Sequence, residues 1–234
     1  KAVLQGRRNP NEGKLMQLTS DLYKEILSNP NHYKETKLNI AGVEYGQENI
    51  VSVRTSGGLF TAPGIGNCAA RQIDLEILPT GAIPRQAQIK VFVRLALGEQ
   101  RSEWLEKGVF FISTRTKDKR TGSLTITGYD AMLKAESGWL NSDYDTENWP
   151  MSQQEAAEDI AYRMGVEVDP RTVLTTSFPV DYPVDENGDL TMREVLGYIA
   201  VSNAGNWIIT DEGKLLLVKY GDIPPETYYL VEEN

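Results

Sequence analysis

Cysteine and histidine are nearly missing from this 234-residue chain, in which Cys68 is the only thiol and His32 the only imidazole. An intrachain disulfide is therefore impossible, which suits a reducing compartment. Structural zinc needs a full set of Cys and His ligands and the common catalytic zinc sites draw on several, so such centres are excluded. A Ser-His-Asp or Cys-His nucleophile would have to recruit His32, but Ser28-Asn29-Pro30-Asn31-His32-Tyr33 reads as a turn with a solvated ring. Long apolar runs are missing too. None approaches the ~20 residues of a membrane helix, so no membrane insertion is expected. The opening residues Lys1-Ala2-Val3-Leu4-Gln5-Gly6-Arg7-Arg8 lack the apolar centre of a secretory signal.

What the chain does have is apolar content, 40 % of its residues, sufficient to bury a core. It also has a step in charge. Residues 1–140 carry 19 Lys/Arg and 14 Asp/Glu, a balance of +5, whereas residues 141–234 carry 5 and 19, a balance of −14. The step coincides with a change of residue pattern and marks a boundary near 138–150. Three parts are expected: a tail and short helix at 1–32, a β-barrel-like domain at 33–140, and a smaller acidic α+β domain at 141–234 that reads as truncated at its end. The opposite charges are either two solvated surfaces or faces that meet between subunits and set their register. No nucleic-acid specificity is expected, because the acidic half would repel phosphate.

The expected fold class is α+β, mainly β, with an N-terminal barrel or sandwich. The first 14 residues are polar and basic and read as an arm for a partner, and Thr19, Ser20 and Asp21 offer caps for a short helix within 15–27. Beyond it, residues 33–42, 49–55, 71–78, 88–95, 109–116 and 123–129 read as strands, several of them with polar and apolar residues in alternation, and Gly or Pro punctuates the series. The last two flank Lys117-Asp118-Lys119-Arg120-Thr121-Gly122, a hairpin with a charged tip. Asp130 to Ala135 reads as a single helical turn. In the second half, Ser152-Gln153-Gln154-Glu155 and Thr191-Met192-Arg193-Glu194 are capping boxes opening helices at 153–164 and 192–203. Gly165 supplies a left-handed stop for the first. A β-hairpin follows, with strands at 206–210 and 214–218 about Asp211-Glu212-Gly213.

No catalytic, cofactor-binding or metal-binding set emerges, so neither a cofactor nor an enzymatic activity is expected. Asp185-Glu186-Asn187-Gly188-Asp189 offers oxygens at alternate positions, but Leu190 and Leu196 stand where a calcium loop needs its glycine and its bidentate glutamate. A turn before a helix is the better reading. Gly57-Gly58 and Gly64-Ile65-Gly66 lack the strand–loop–helix context of a phosphate loop. Asp143, Asp145 and Glu147 could hold a carboxylate pair, although charges in a polar linker are usually just solvated. Trp139, Tyr144 and Trp149 cluster at the boundary, where they could glue two domains, anchor a neighbour or form a sugar platform. The candidate interface residues are therefore Lys117, Lys119, Arg120, Trp139, Tyr144 and Trp149.

Several segments, in order, resemble the tail-hub (baseplate-hub) proteins of bacteriophages and prophages. They run from Arg101-Ser102-Glu103-Trp104-Leu105-Glu106-Lys107-Gly108-Val109-Phe110-Phe111-Ile112 through Leu124-Thr125-Ile126-Thr127-Gly128-Tyr129-Asp130-Ala131-Met132-Leu133 and Trp149-Pro150-Met151-Ser152. Gly165-Val166-Glu167-Val168-Asp169, Leu190-Thr191-Met192-Arg193-Glu194-Val195-Leu196 and Asn206-Trp207-Ile208-Ile209 complete the series. The resemblance implies a structural ring protein, usually a homotrimer, that adapts the tail tube to a spike or fibre. It implies contacts with itself and with other tail proteins, a place in the virion tail, and assembly in the bacterial host cytoplasm. It carries no catalytic residues. Two rival functions remain, a tail-associated peptidoglycan hydrolase using paired carboxylates and a carbohydrate- or receptor-binding module.

Overall fold

The structure is a computed structural model that describes residues 19–57, 64–139, 149–181, 184–185 and 188–220. Helix α1 (Asp21–Ser28) starts where Ser20 accepts the Tyr23 N–H, and it buries Ile26. Ser20 is itself fastened to the Glu103 carboxylate, through its amide at 2.7 Å and its hydroxyl at 2.5 Å. The helix packs on β5 (Gln88–Leu97).

The remaining strands of the first unit are β1 (Tyr33–Ile40), β2 (Val43–Tyr45), β3 (Ile50–Ser56), β4 (Gln72–Ile77), β6 (Gln100–Arg101), β7 (Leu105–Lys117) and β8 (Leu124–Tyr129). They pair antiparallel in the order β2-β1-β5-β7-β8-β4-β3, with β6 added beside β5. Alternation sets the register. Leu38 and Ile40 face Val91 and Ile89 across β1 and β5, and Ile73, Leu75 and Ile77 face Gly128, Ile126 and Leu124 across β4 and β8. A slip of one residue would turn these apolar side chains to water. They form one core with Tyr45, Phe110 and Ile112. No ladder joins β2 to β3 among the described residues, so the barrel-like element is a curled half-barrel with both edges open. Gly128 lets two strands approach, since a Cβ there would lie 2.7 Å from the Phe111 carbonyl oxygen.

Asp130 then caps a 3₁₀ helix (Ala131–Glu136) by accepting the Met132 N–H. Both capping boxes form, ahead of α2 (Gln153–Met164) and α3 (Met192–Ser202), and Gly165 closes α2 with φ +74°. Strands β9 (Val184–Asp185) and β10 (Gly188–Asp189) pair with each other, and β11 (Gly205–Ile209) pairs with β12 (Leu215–Lys219). A second core gathers Trp139, Ala157, Ile160, Met164, Leu196, Ile199, Trp207 and Leu215. It also takes Cys68, Met132 and Ala135 from the first half of the chain, with Cys68 bridging to Trp207. The two cores therefore exchange chain at two places, before β4 and after β8. Lys134 marks the seam, its ammonium 4.0 Å from the Phe111 ring centre and donating to the Met164 carbonyl.

Candidate assembly interface

The β7–β8 hairpin ends in a cluster of exposed cations. Strand β7 is exposed from Ser113 onward, and the turn closes where Asp118 donates its amide to the Ser123 carbonyl and accepts the Gly122 N–H. Asp118 spends its charge inside the turn. The Arg120 amide at 2.7 Å, and more weakly Thr121, hold its carboxyl below the usual range. Arg115 is occupied as well, donating to the Ile83 carbonyl. Lys117, Lys119 and Arg120 are exposed and have no ion pair among the described residues. The tip thus presents three unneutralised cations around an anion already engaged.

The boundary aromatics lie elsewhere. Trp139 is wholly buried in the second core, donating its indole N–H to Asp159 at 2.6 Å and meeting Trp149 edge to face at 5.0 Å. Trp149 is half-buried, so neither ring offers an open platform. Tyr144 lies outside the described residues, as do Asp143, Asp145 and Glu147.

Where the two cores meet, Arg71 acts as a clasp. Its guanidinium reaches Asp211 at 2.7 Å, the Thr210 carbonyl at 3.1 Å and Asp130 at 3.4 Å, and it lies over the Phe110 ring. Lys107 adds a second cation to Asp211 at 3.7 Å. Burial raises the Asp130 carboxyl above its ordinary pKa, against the opposing pull of the Arg71 amide and charge. Asp130 and Asp211 are thus tied through one arginine, an arrangement that fastens the β11–β12 turn to the sheet. Cys68 is equally committed to structure, with burial pushing its thiol up to about 12. No group of three metal-ligating side chains occurs among the described residues. Asp185 and Gly188 pair as part of a two-stranded turn.

Sequence reasoning missed one surface. A groove of about 260 Å³ opens beside α3, lined by Phe178, Val180, Leu190, Val195, Tyr198 and Ile199 among others. Phe178 is 70 % exposed and Tyr198 62 % exposed. Its polar margin is satisfied from within, because Gln153 bonds Ser202, Thr176 and Asn203. The signal was present in the sequence: no charge falls between Val195 and Ser202, so the outward side of α3 beyond Glu194 is uncharged.

No known protein family and no curated protein matches the sequence. Among solved structures, the chain is similar to the 43 kDa tail protein of prophage MuSo2 from Shewanella oneidensis, with a TM-score of 0.50 at 13 % identity over 81 % of this chain and 56 % of that one. A tail protein from Neisseria meningitidis gives a TM-score of 0.50 at 17 % identity, covering 79 % of this chain and 51 % of its own. Prophage tail protein gp18 from Listeria monocytogenes gives 0.46 at 10 % identity, covering 79 % and 50 %. The chain spans about half the length of these proteins. At such identities the likeness is one of fold.

Proposed function

We propose that a chain folded like prophage tail proteins serves in a tail itself, as a non-enzymatic structural subunit of a phage or prophage-derived tail tip. In this reading it is a hub-ring protein, assembled as a homotrimer, that joins the tail tube to a spike or fibre. It is built in the bacterial host cytoplasm and carried in the virion tail. The observation that carries the reading is the fold shared with two tail proteins over about four-fifths of the chain. The role is mechanical. A half-barrel clasped to an α/β unit is a rigid block, and one heterologous contact repeated by rotation closes a ring. The exposed cations of Lys117, Lys119 and Arg120 and the acidic second half supply faces of opposite sign for that contact.

Light scattering with negative-stain imaging tests the reading. The expected result is a ring with a central opening and three times the 26.1 kDa of one chain. A monomer at every concentration tried would overturn the ring. A zymogram on bacterial cell walls is expected to stay blank, and a lytic band would overturn the non-enzymatic role.

A further inference from the structure

We propose that the apolar groove beside α3 is the docking site for residues 1–18 of a neighbouring copy of this chain. The proposal rests on the reading that copies assemble side by side.

The groove states what its occupant must be. Its walls are aliphatic and aromatic, and Val201, next along the outward side of α3, is 50 % exposed. An uncharged helix face left open to water in this way marks a contact surface. Its one charged lining residue is Asp181, an exposed carboxylate with no ion pair among the described residues. Glu194, one helical turn before Tyr198, has its carboxylate engaged by the Thr191 amide and hydroxyl in the capping box, so the uncharged face begins at Val195. In sequence, the stretch from Asp181 to Glu194 holds five acids against the single base Arg193. The occupant therefore has to combine aliphatic side chains with positive charge.

Within this chain the β7–β8 tip fails that requirement, because residues 114–122 bring cations and no apolar side chain. The acidic half of a second copy would be repelled. Residues 1–18 meet both demands: Lys1, Arg7, Arg8 and Lys14 stand against Glu12 alone, and Val3, Leu4, Leu15, Met16 and Leu18 supply the aliphatic groups. The segment joins the described chain next to Ser20, which Glu103 fixes to the sheet unit. Docked on a neighbour, it straps the sheet of one copy to the α/β unit of the next.

The test places a photoreactive benzoylphenylalanine at Tyr198 in the full chain and mixes unlabelled with nitrogen-15-labelled copies before irradiation. Solution mass is measured on the same sample. The expected result is cross-linked peptides joining position 198 to residues 1–18 with mixed isotope labels. Their yield is expected to fall about tenfold when Arg7, Arg8 and Lys14 are changed to Glu, because like charges then face Asp181. In an assembled sample, cross-links confined to one copy, cross-links to any other segment, or none at all would overturn the docking and leave the ring reading standing. A monomeric mass would overturn both.

Discussion

At Asp169 both carboxylate oxygens are taken by Arg171, with Nε 2.8 Å from Oδ1 and Nη2 2.7 Å from Oδ2. The pair sits at the start of the segment that leads to Phe178 and Asp181. Arg171 holds the carboxyl below its usual range, chiefly by donating these bonds. Because the folded pKa is depressed, the stabilisation is fully present above the unfolded value and drains away as pH falls through the folded one. Arg171→Gln is expected to cost about 1–3 kcal/mol at neutral pH, and progressively less below about pH 4, where free aspartate itself takes up a proton. Urea unfolding at pH 7 and pH 3 reads the difference, and an equal cost at both would show that the ion pair contributes nothing. Single residues were also where the sequence was hardest to read. The clustering of Trp139 and Trp149 was visible in one dimension, but their edge-to-face pairing and the Trp139–Asp159 bond depend on how α2 packs. The Gln153–Asn203 bond joins residues 50 positions apart, a distance no local pattern encodes.

Helix starts were legible because their signals are local. At Ser152 and at Thr191 the side chain accepts the N3 amide while the N3 glutamate accepts the cap's own N–H, so four residues contain the whole arrangement. Thr191→Ala is expected to destabilise the chain by about 1 kcal/mol, seen as a lower urea midpoint at unchanged slope, whereas Thr191→Ser retains most of the stability. An Ala variant as stable as the parent would mean that packing of Val195, Leu196 and Ile199 fixes the start of α3 without its cap. Strands β1, β4, β5, β7 and β8 were legible for a related reason, since alternation over six residues or more reports a half-buried face. Strands β2 and β6, at three and two residues, are too short to alternate and exist only because β1 and β5 offer them an edge. The order β2-β1-β5-β7-β8-β4-β3 was not legible, because the pairing of β4 with β8 and of β1 with β5 joins segments some 50 residues apart. The open half-barrel belongs to that same non-local level: six of the first unit's eight strands were readable, the absence of a β2–β3 ladder among the described residues was not.

For the whole molecule the governing feature is the charge step, which the sequence displays directly. The first half ends its longest hairpin in cations that nothing neutralises among the described residues, while the second half carries −14. Within one copy the tip cations have no ion pair among the described residues, since Asp118 is consumed by its own turn. Between copies, each tip facing an acidic unit would gain in every contact of a closed ring. Changing Lys117, Lys119 and Arg120 together to Glu is therefore expected to lower the assembled mass in light scattering while leaving thermal unfolding of the separate chain unchanged, because all three side chains are exposed. Raising salt to about 1 M, where charges are screened within ~3 Å, is expected to weaken the parent's assembly in the same direction and to have far less effect on the reversed variant. Parent-like assembly by the reversed variant would remove the hairpin from the interface, and the apolar groove on α3 would then have to hold neighbouring copies together without it.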